Sequence, residues 1–293
     1  MAMARIILGE IFLAILVTGL IYAAVSPTLQ PTIFPRLRIP WFAEGKRVVD
    51  RYSLIKGTNV SESVNFVKLN VTVNFGGISL IFSNRSDMLF DASFERAANT
   101  SQLEVSHSVS SGAMQANFYG EAGGLNLTLG KNCQFSGDLD LRLGGVLIDL
   151  GQHSNISELG VVIRYIGGAL VNIGNDASFE RLSFIMSVGG LQVNIDADRL
   201  SRSGVIQPNI DIGAFSIGVK VDTKQVGASL DATVDTGGLS VNQPDFTGEV
   251  STTHCSVKTK GYFDAARNLA IKANVGLGGV TLNGLQSIPG LGF

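Results

Sequence analysis

The sequence predicts an all-β fold: a repeat β-solenoid, parallel β-helix-like, with rungs of about 22 residues and Gly-Gly corners, plus one N-terminal transmembrane helix. Three observations predict it. A glycine pair followed by aliphatic residues at every second position recurs through most of the chain. Glycine is abundant, 35 of 293 residues, against 7 prolines and 16 % charged residues, which suits tightly turned β structure better than disorder. Ile6 to Val25 is an apolar run carrying one charge, Glu10.

As a helix that run spans about 30 Å, the thickness of the hydrocarbon layer. A cleaved signal peptide is the competing reading. Its apolar region would be too long, and the best small-residue site, Ala24-Val25-Ser26, precedes Pro27. A pilin-type leader ending at Gly9 wants a charge where Leu8 stands. Residues 1–25 are therefore expected to be a retained membrane anchor. Residues 26–45 read as a linker, because Pro27, Pro31, Pro35 and Pro40 recur too often for a helix. Residues 46–293 form the β domain.

Within that domain Gly76-Gly77 precedes Ile78, Leu80 and Phe82. Gly123-Gly124, Gly144-Gly145, Gly167-Gly168 and Gly189-Gly190 each lead into the same alternation, as in Leu191, Val193 and Ile195. Gly213-Ala214 is a weaker copy, and Gly237-Gly238 and Gly278-Gly279 complete the series. The intervals are 47, 21, 23, 22, 24, 24 and 41 residues. The two long ones suggest a degenerate rung hidden in each. Asp91–Arg96 recurs as Asp176–Arg181, 85 residues later, close to four periods. Alternation puts one strand face in a dry core and the other in water. It runs before the pair as well, as in Leu139, Leu141 and Leu143, and shifts phase across it. Two glycines permit the bend that keeps both apolar faces inward. A single unit cannot bury its apolar face, but stacked units can. An antiparallel sandwich or barrel also alternates; the regular period and the scarcity of Asn-Gly and Asp-Gly turns favour the stack.

The Gly-Gly-aliphatic-x-aliphatic unit, over residues 70 to 285, resembles the toast-rack β-solenoid domains. That group includes adhesin-like domains and the C-terminal domain of LiaF-type envelope-stress regulators. The resemblance implies a solenoid fold and a cell-surface context, and carries no active-site motif.

Topology signals conflict. Six Asn-x-Ser/Thr acceptors, Asn59, Asn70, Asn84, Asn99, Asn126 and Asn155, argue for an extracytoplasmic glycoprotein. Arg36, Arg38, Lys46 and Arg47 follow the anchor while only Arg5 precedes it, which argues for a cytoplasmic domain. Long domains translocate largely regardless of charge, so the acceptors prevail.

No catalytic residue, metal site or cofactor site is expected. His107, His153 and His254 are scattered, and the adjacent His254 and Cys255 point to opposite strand faces. No GxSxG, HExxH or P-loop is present. Asp138 with Asp140, and Asp196 with Asp198, are paired carboxylates of the kind that cleave polysaccharides or bind Ca²⁺ loosely; a solvated face is the plainer reading. Cys133 and Cys255 stand about five rungs apart, on the order of 25 Å, too far for a disulfide. The net charge of −2, with no basic stripe, excludes nucleic acid as an expected partner.

The expected function is a non-enzymatic, membrane-anchored surface scaffold or adhesion module that meets surface proteins or polysaccharides. One alternative is a filament subunit, at the surface or bactofilin-like in the cytoplasm, pairing through the apolar C-terminal rung, Gly276 to Phe293. Another is a regulatory or sensory partner of a membrane protein.

Overall fold

The computed structural model describes residues 47–57 and 63–284. The expected anchor, the proline linker, Asn59 and residues 285–293 lie outside the described residues. The described chain is all-β. Its strands are β1 (Arg47–Ile55), β2 (Phe66–Phe82), β3 (Met88–Ala97), β4 (Glu104–Ser110), β5 (Ala113–Leu129), β6 (Gln134–Leu150) and β7 (Ile156–Ile173). They continue as β8 (Phe179–Ala197), β9 (Gly204–Val221), β10 (Val226–Asn242), β11 (Phe246–Val250), β12 (His254–Thr259) and β13 (Arg267–Gly284). All 13 join one open sheet.

Eight long strands, 17 to 19 residues each, form its centre: β5, β2, β6, β7, β8, β9, β13 and β10, in that spatial order and all parallel. The expected parallel, in-register stacking of the repeats is what the register shows. Gly123 pairs with Gly76, then Gly144, Gly167, Gly189, Gly213, Gly278 and Gly237 follow in one row. The glycine corner lies inside a continuous strand, and the ladder runs through it.

These strands double back at that row. A straight strand of β7's length would reach about 60 Å. The loop from β7 to β8, residues 174–178, spans at most roughly 18 Å. Yet β8 starts beside the start of β7, with Ile156 opposite Phe179. The chain closes that distance only if each strand folds in half. Burial agrees: Leu159, Val161 and Ile163 before the corner and Ala169, Val171 and Ile173 after it share one core. Successive rungs stack like on like, as in Leu127, Leu80, Ile148, Val171, Val193, Ile217, Leu282 and Val241.

The long intervals hold no hidden rung. Between β2 and β5 lie β3 and β4, which run antiparallel to the two arms of β5 and close that end, with β1 outside β3. Between β10 and β13 lie β11 and β12, an antiparallel pair on the first arm of β10. The chain thus builds each end outward and returns inside it. The repeated hexapeptide does not mark equivalent rungs either: Asp91–Arg96 lies in antiparallel β3, while Asp176–Arg181 spans a turn and the start of β8. Both copies bury their alanine and phenylalanine, Ala92 with Phe94 and Ala177 with Phe179.

Two further expectations change. The C-terminal rung is not an end: β13 is paired on one edge to β9 and on the other to β10, so through Gly284 it has no free edge for a second copy. Leu143 is not inward. The phase shift starts one residue before the glycine pair, so that Phe75, Leu143, Ile166, Ile212 and Leu277, each 41 % to 50 % exposed, line the outside of the bend in register.

Candidate binding surface

The corner row fixes the flank geometry. A Cβ at Gly144 would lie 1.6 Å from the Gly76 carbonyl oxygen, at Gly189 1.7 Å from that of Gly167, and at Gly213 1.6 Å from that of Gly189. Gly144 and Gly213 also have φ of +143° and +150°. The second glycine of each pair is roomier. A Cβ at Gly124 or Gly238 meets nothing within 4 Å, which is why Ala214 fits that column.

Each folded strand turns its polar residues outward on two flanks. On the arm after the corner the column reads Asp149, Asn172, Asn194, Gly218, Asn283 and Asn242. Asn194 Nδ2 donates to Asn172 Oδ1 (3.0 Å), and Asn242 Nδ2 donates to Asn283 Oδ1 (3.2 Å). On the arm before the corner, Asn70 Nδ2 donates to Asn117 Oδ1 (2.7 Å), and Thr233 Oγ1 donates to Asn274 Oδ1 (2.8 Å). Amide side chains one rung apart, about 4.8 Å, are within reach of each other, so the rows organise themselves.

Two shallow depressions interrupt these flanks. One, about 400 Å³, is lined by Gln207, Pro208, Asn209, Asp231, Lys272, Ala273 and Asn274. The other, about 410 Å³, involves Gln192, Asn194, Ser216, Gly218, Asn242 and Asn283. Both include residues of β9, β13 and β10, where a strand is inserted out of sequence order. Pro208 contributes to the first: it has no N–H for the ladder, and the β9–β13 pairing is broken between Ile206 and Asn209. Apolar periodicity in the sequence does not reveal either depression, because each is a break in an outward column.

The expected glycan acceptors separate by exposure. Asn84 and Asn99 are exposed on turns flanking β3, and Asn126 is exposed on β5 opposite Ser79 and Ser93. Asn70 is half-buried in the row with Asn117, and Asn155 is half-buried in the loop before β7. The Asn155 acceptor also has its Ser157 hydroxyl donated to the Phe135 carbonyl (3.3 Å).

Of the paired carboxylates, Asp140 is held by Arg164 (Nε to Oδ1, 2.8 Å) and Asp196 by Lys220 (3.1 Å), each from the next rung. Asp138 folds its carboxylate over Gly160, where a Cβ would meet it at 2.5 Å. Asp198 sits in the loop after β8, where its backbone N–H donates to Asn175 Oδ1 (2.7 Å). The structure therefore supplies each of Asp140 and Asp196 with a cation from the neighbouring strand.

The histidines stay apart. His107 Nδ1 meets the Tyr52 hydroxyl at 3.1 Å, His153 is in the β6–β7 loop, and His254 is exposed while its neighbour Cys255 is buried. No group of three or more metal-ligating side chains occurs among the described residues. Cys133 and Cys255 are buried free thiols. Burial raises both, Cys255 to about 11 with Asp231 adding to the shift.

Among the described residues, no helix is long and apolar enough to cross a membrane. No family model and no curated protein matches the chain. Solved structures do. A putative cell adhesion protein from Clostridium sporogenes ATCC 15579 is 16 % identical, with TM-score 0.52, covering 83 % of this chain and 100 % of that one. A putative adhesin from Bacteroides fragilis NCTC 9343 is 11 % identical, with TM-score 0.31, over 82 % of this chain and 98 % of its own. Another, from Parabacteroides distasonis ATCC 8503, is 11 % identical with TM-score 0.25 over the same shares. The first of these likenesses shows that the chain shares its all-β fold with a solved structure.

Proposed function

We propose that this protein is a membrane-anchored, extracytoplasmic β-solenoid that works by binding, as a surface adhesion or interaction module. One coil per repeat follows from the doubled strands and short return loops, and eight coils make a stack about 34 Å long. The observation that carries the reading is the pair of outward flanks, where amide and hydroxyl groups repeat in register. Such rows favour many weak polar contacts over one enclosed reaction site, and avidity multiplies weak contacts. The fold likeness to a putative cell adhesion protein lends support. So do the exposed acceptors Asn84, Asn99 and Asn126.

The test is protease treatment of intact cells with mass analysis of the peptides carrying Asn84, Asn99 and Asn126, alongside adhesion of beads coated with the full chain to cells. External cleavage, sugar on those residues and bead adhesion are the expected results. A domain protected by the intact membrane and free of sugar would reverse the topology and overturn the reading.

A further inference from the structure

The amide row on the post-corner flank has a direction. Asn242 Nδ2 donates to Asn283, and Asn194 Nδ2 donates to Asn172, both toward the N-terminal end of the stack. Between the two pairs stands Gly218, opposite Asn194 on one side and Asn283 on the other. Asn194 therefore turns its Oδ1 toward the interruption, with one lone pair used by Gln192 Nε2 (3.0 Å). Asn283 gives its Oδ1 to Asn242, which leaves its Nδ2 on the Gly218 side. That nitrogen has no partner among the described residues. The row thus lacks one amide, and two rungs of about 4.8 Å separate the acceptor strand from the donor strand.

We propose that this interruption is a subsite for an uncharged acetamido sugar, an N-acetylhexosamine unit of a surface glycan. An acetamido group is chemically the amide that the row lacks. Its N–H donates to Asn194 Oδ1, and its carbonyl accepts from Asn283 Nδ2. The depression of about 410 Å³ gives space for the pyranose ring, and Gln192, Ser216 and Asn242 on its lining offer partners for ring hydroxyls. No charged side chain lines it, so neither an acidic nor a basic ligand gains an ion pair there. An asparagine side chain from a partner protein offers the same amide but leaves those hydroxyl partners unused, which favours the sugar. The proposal rests on the adhesion reading and names the chemistry its surface recognises.

The test is titration calorimetry of the full chain with the β-linked trisaccharide of N-acetylglucosamine, against the glucose trisaccharide and an asparagine-rich peptide. Gly218→Asn closes the row with the protein's own amide, and Asn283→Ala removes the donor. Binding of the acetamido trisaccharide in preference to glucose is expected, weakened about tenfold or more by either variant. Thermal unfolding of both variants shows that they remain folded. Equal affinity for the two sugars, undiminished binding by Gly218→Asn, or binding of the peptide alone would overturn the subsite. Bead adhesion to cells is measured on the same samples. Adhesion that persists without sugar binding removes the subsite and leaves the adhesion reading; absence of adhesion and of sugar binding removes both.

Discussion

At the residue scale the first glycine of each pair is fixed by contact. A methyl group at Gly144 would overlap the Gly76 carbonyl at 1.6 Å, in a backbone conformation with φ +143° that L residues rarely adopt. Neither partner can retreat, because both are central in the ladder. Gly144→Ala is expected to cost more than about 3 kcal/mol or to prevent folding. Gly124→Ala, in the roomy column, is expected to stay within about 1 kcal/mol of the parent. Urea unfolding of the two variants checks this, and equal losses would disprove the distinction. The thiols give a second prediction at this scale. Cys255 titrates near 11 and both cysteines are buried, so thiolate is scarce at neutral pH. An aromatic disulfide reagent should label neither thiol in the folded protein and both after unfolding.

Among the elements, the first closing unit is tied together by one partly buried ion pair. Arg96 Nε donates to Asp50 Oδ2 (2.7 Å), its Nη1 to the Thr100 carbonyl (2.7 Å), and the Leu103 N–H also donates to Asp50 (3.1 Å). These bonds join β1, β3 and the turn toward β4. The Arg96 hydrogen bond is the main cause that holds the Asp50 carboxyl below its ordinary range. A depressed carboxyl contributes stability above its unfolded pKa and loses it as pH falls through the folded value. Protection against amide exchange in β1 and residues 98–103, taken relative to the intrinsic rate at each pH, should therefore fall on acidification before protection in β7 or β8. In Asp50→Asn that protection should be low already at neutral pH and lose its acid dependence. An unchanged profile would count against the latch. The exposed pairs such as Arg47–Glu95 and Arg181–Glu158 contribute little by comparison.

Over the whole molecule the ends decide whether the stack remains single. A parallel stack of identical rungs offers a template at each end. Here β4 closes one side of β5 with a short polar strand, and β11 and β12 cover the first arm of β10. Removal of residues 246–262 shortens the route from β10 to β13 to seven residues, still longer than the four to six residues of the loops between β6 and β10. That deletion should expose the first arm of β10 and produce concentration-dependent assemblies by light scattering. If the variant stays as monomeric as the parent, closure by β11 and β12 is not what prevents stacking. The second arm of β10 is less covered, with Leu239 and Val241 half-buried at its edge.

The amino-acid sequence by itself determined the unit of this fold. Gly-Gly followed by alternating aliphatics is a local pattern with a local cause: at the first position of the pair only glycine tolerates both the bend and the neighbouring carbonyl, and alternation has a period that one strand can display. The regular period of that unit favoured parallel stacking over an antiparallel sheet, and the register of the long strands is parallel. The alternation placed Asn70 and Asn126 outward for the same reason; Asn126 is exposed, while Asn70 is half-buried in its row with Asn117. What only the tertiary structure decided was spatial order. Nothing in the residues around Gly237 and Gly278 says that β13 slips between β9 and β10, since both glycine pairs fit any place in the row. The closing strands were likewise unreadable, because an antiparallel strand shows the same alternation as a parallel one. The interruption at Gly218 shares this origin: a glycine in a strand has no meaning until its neighbours, Asn194 and Asn283, are known, and those come from opposite sides of an insertion that spans 65 residues of chain from Gly218 to Asn283.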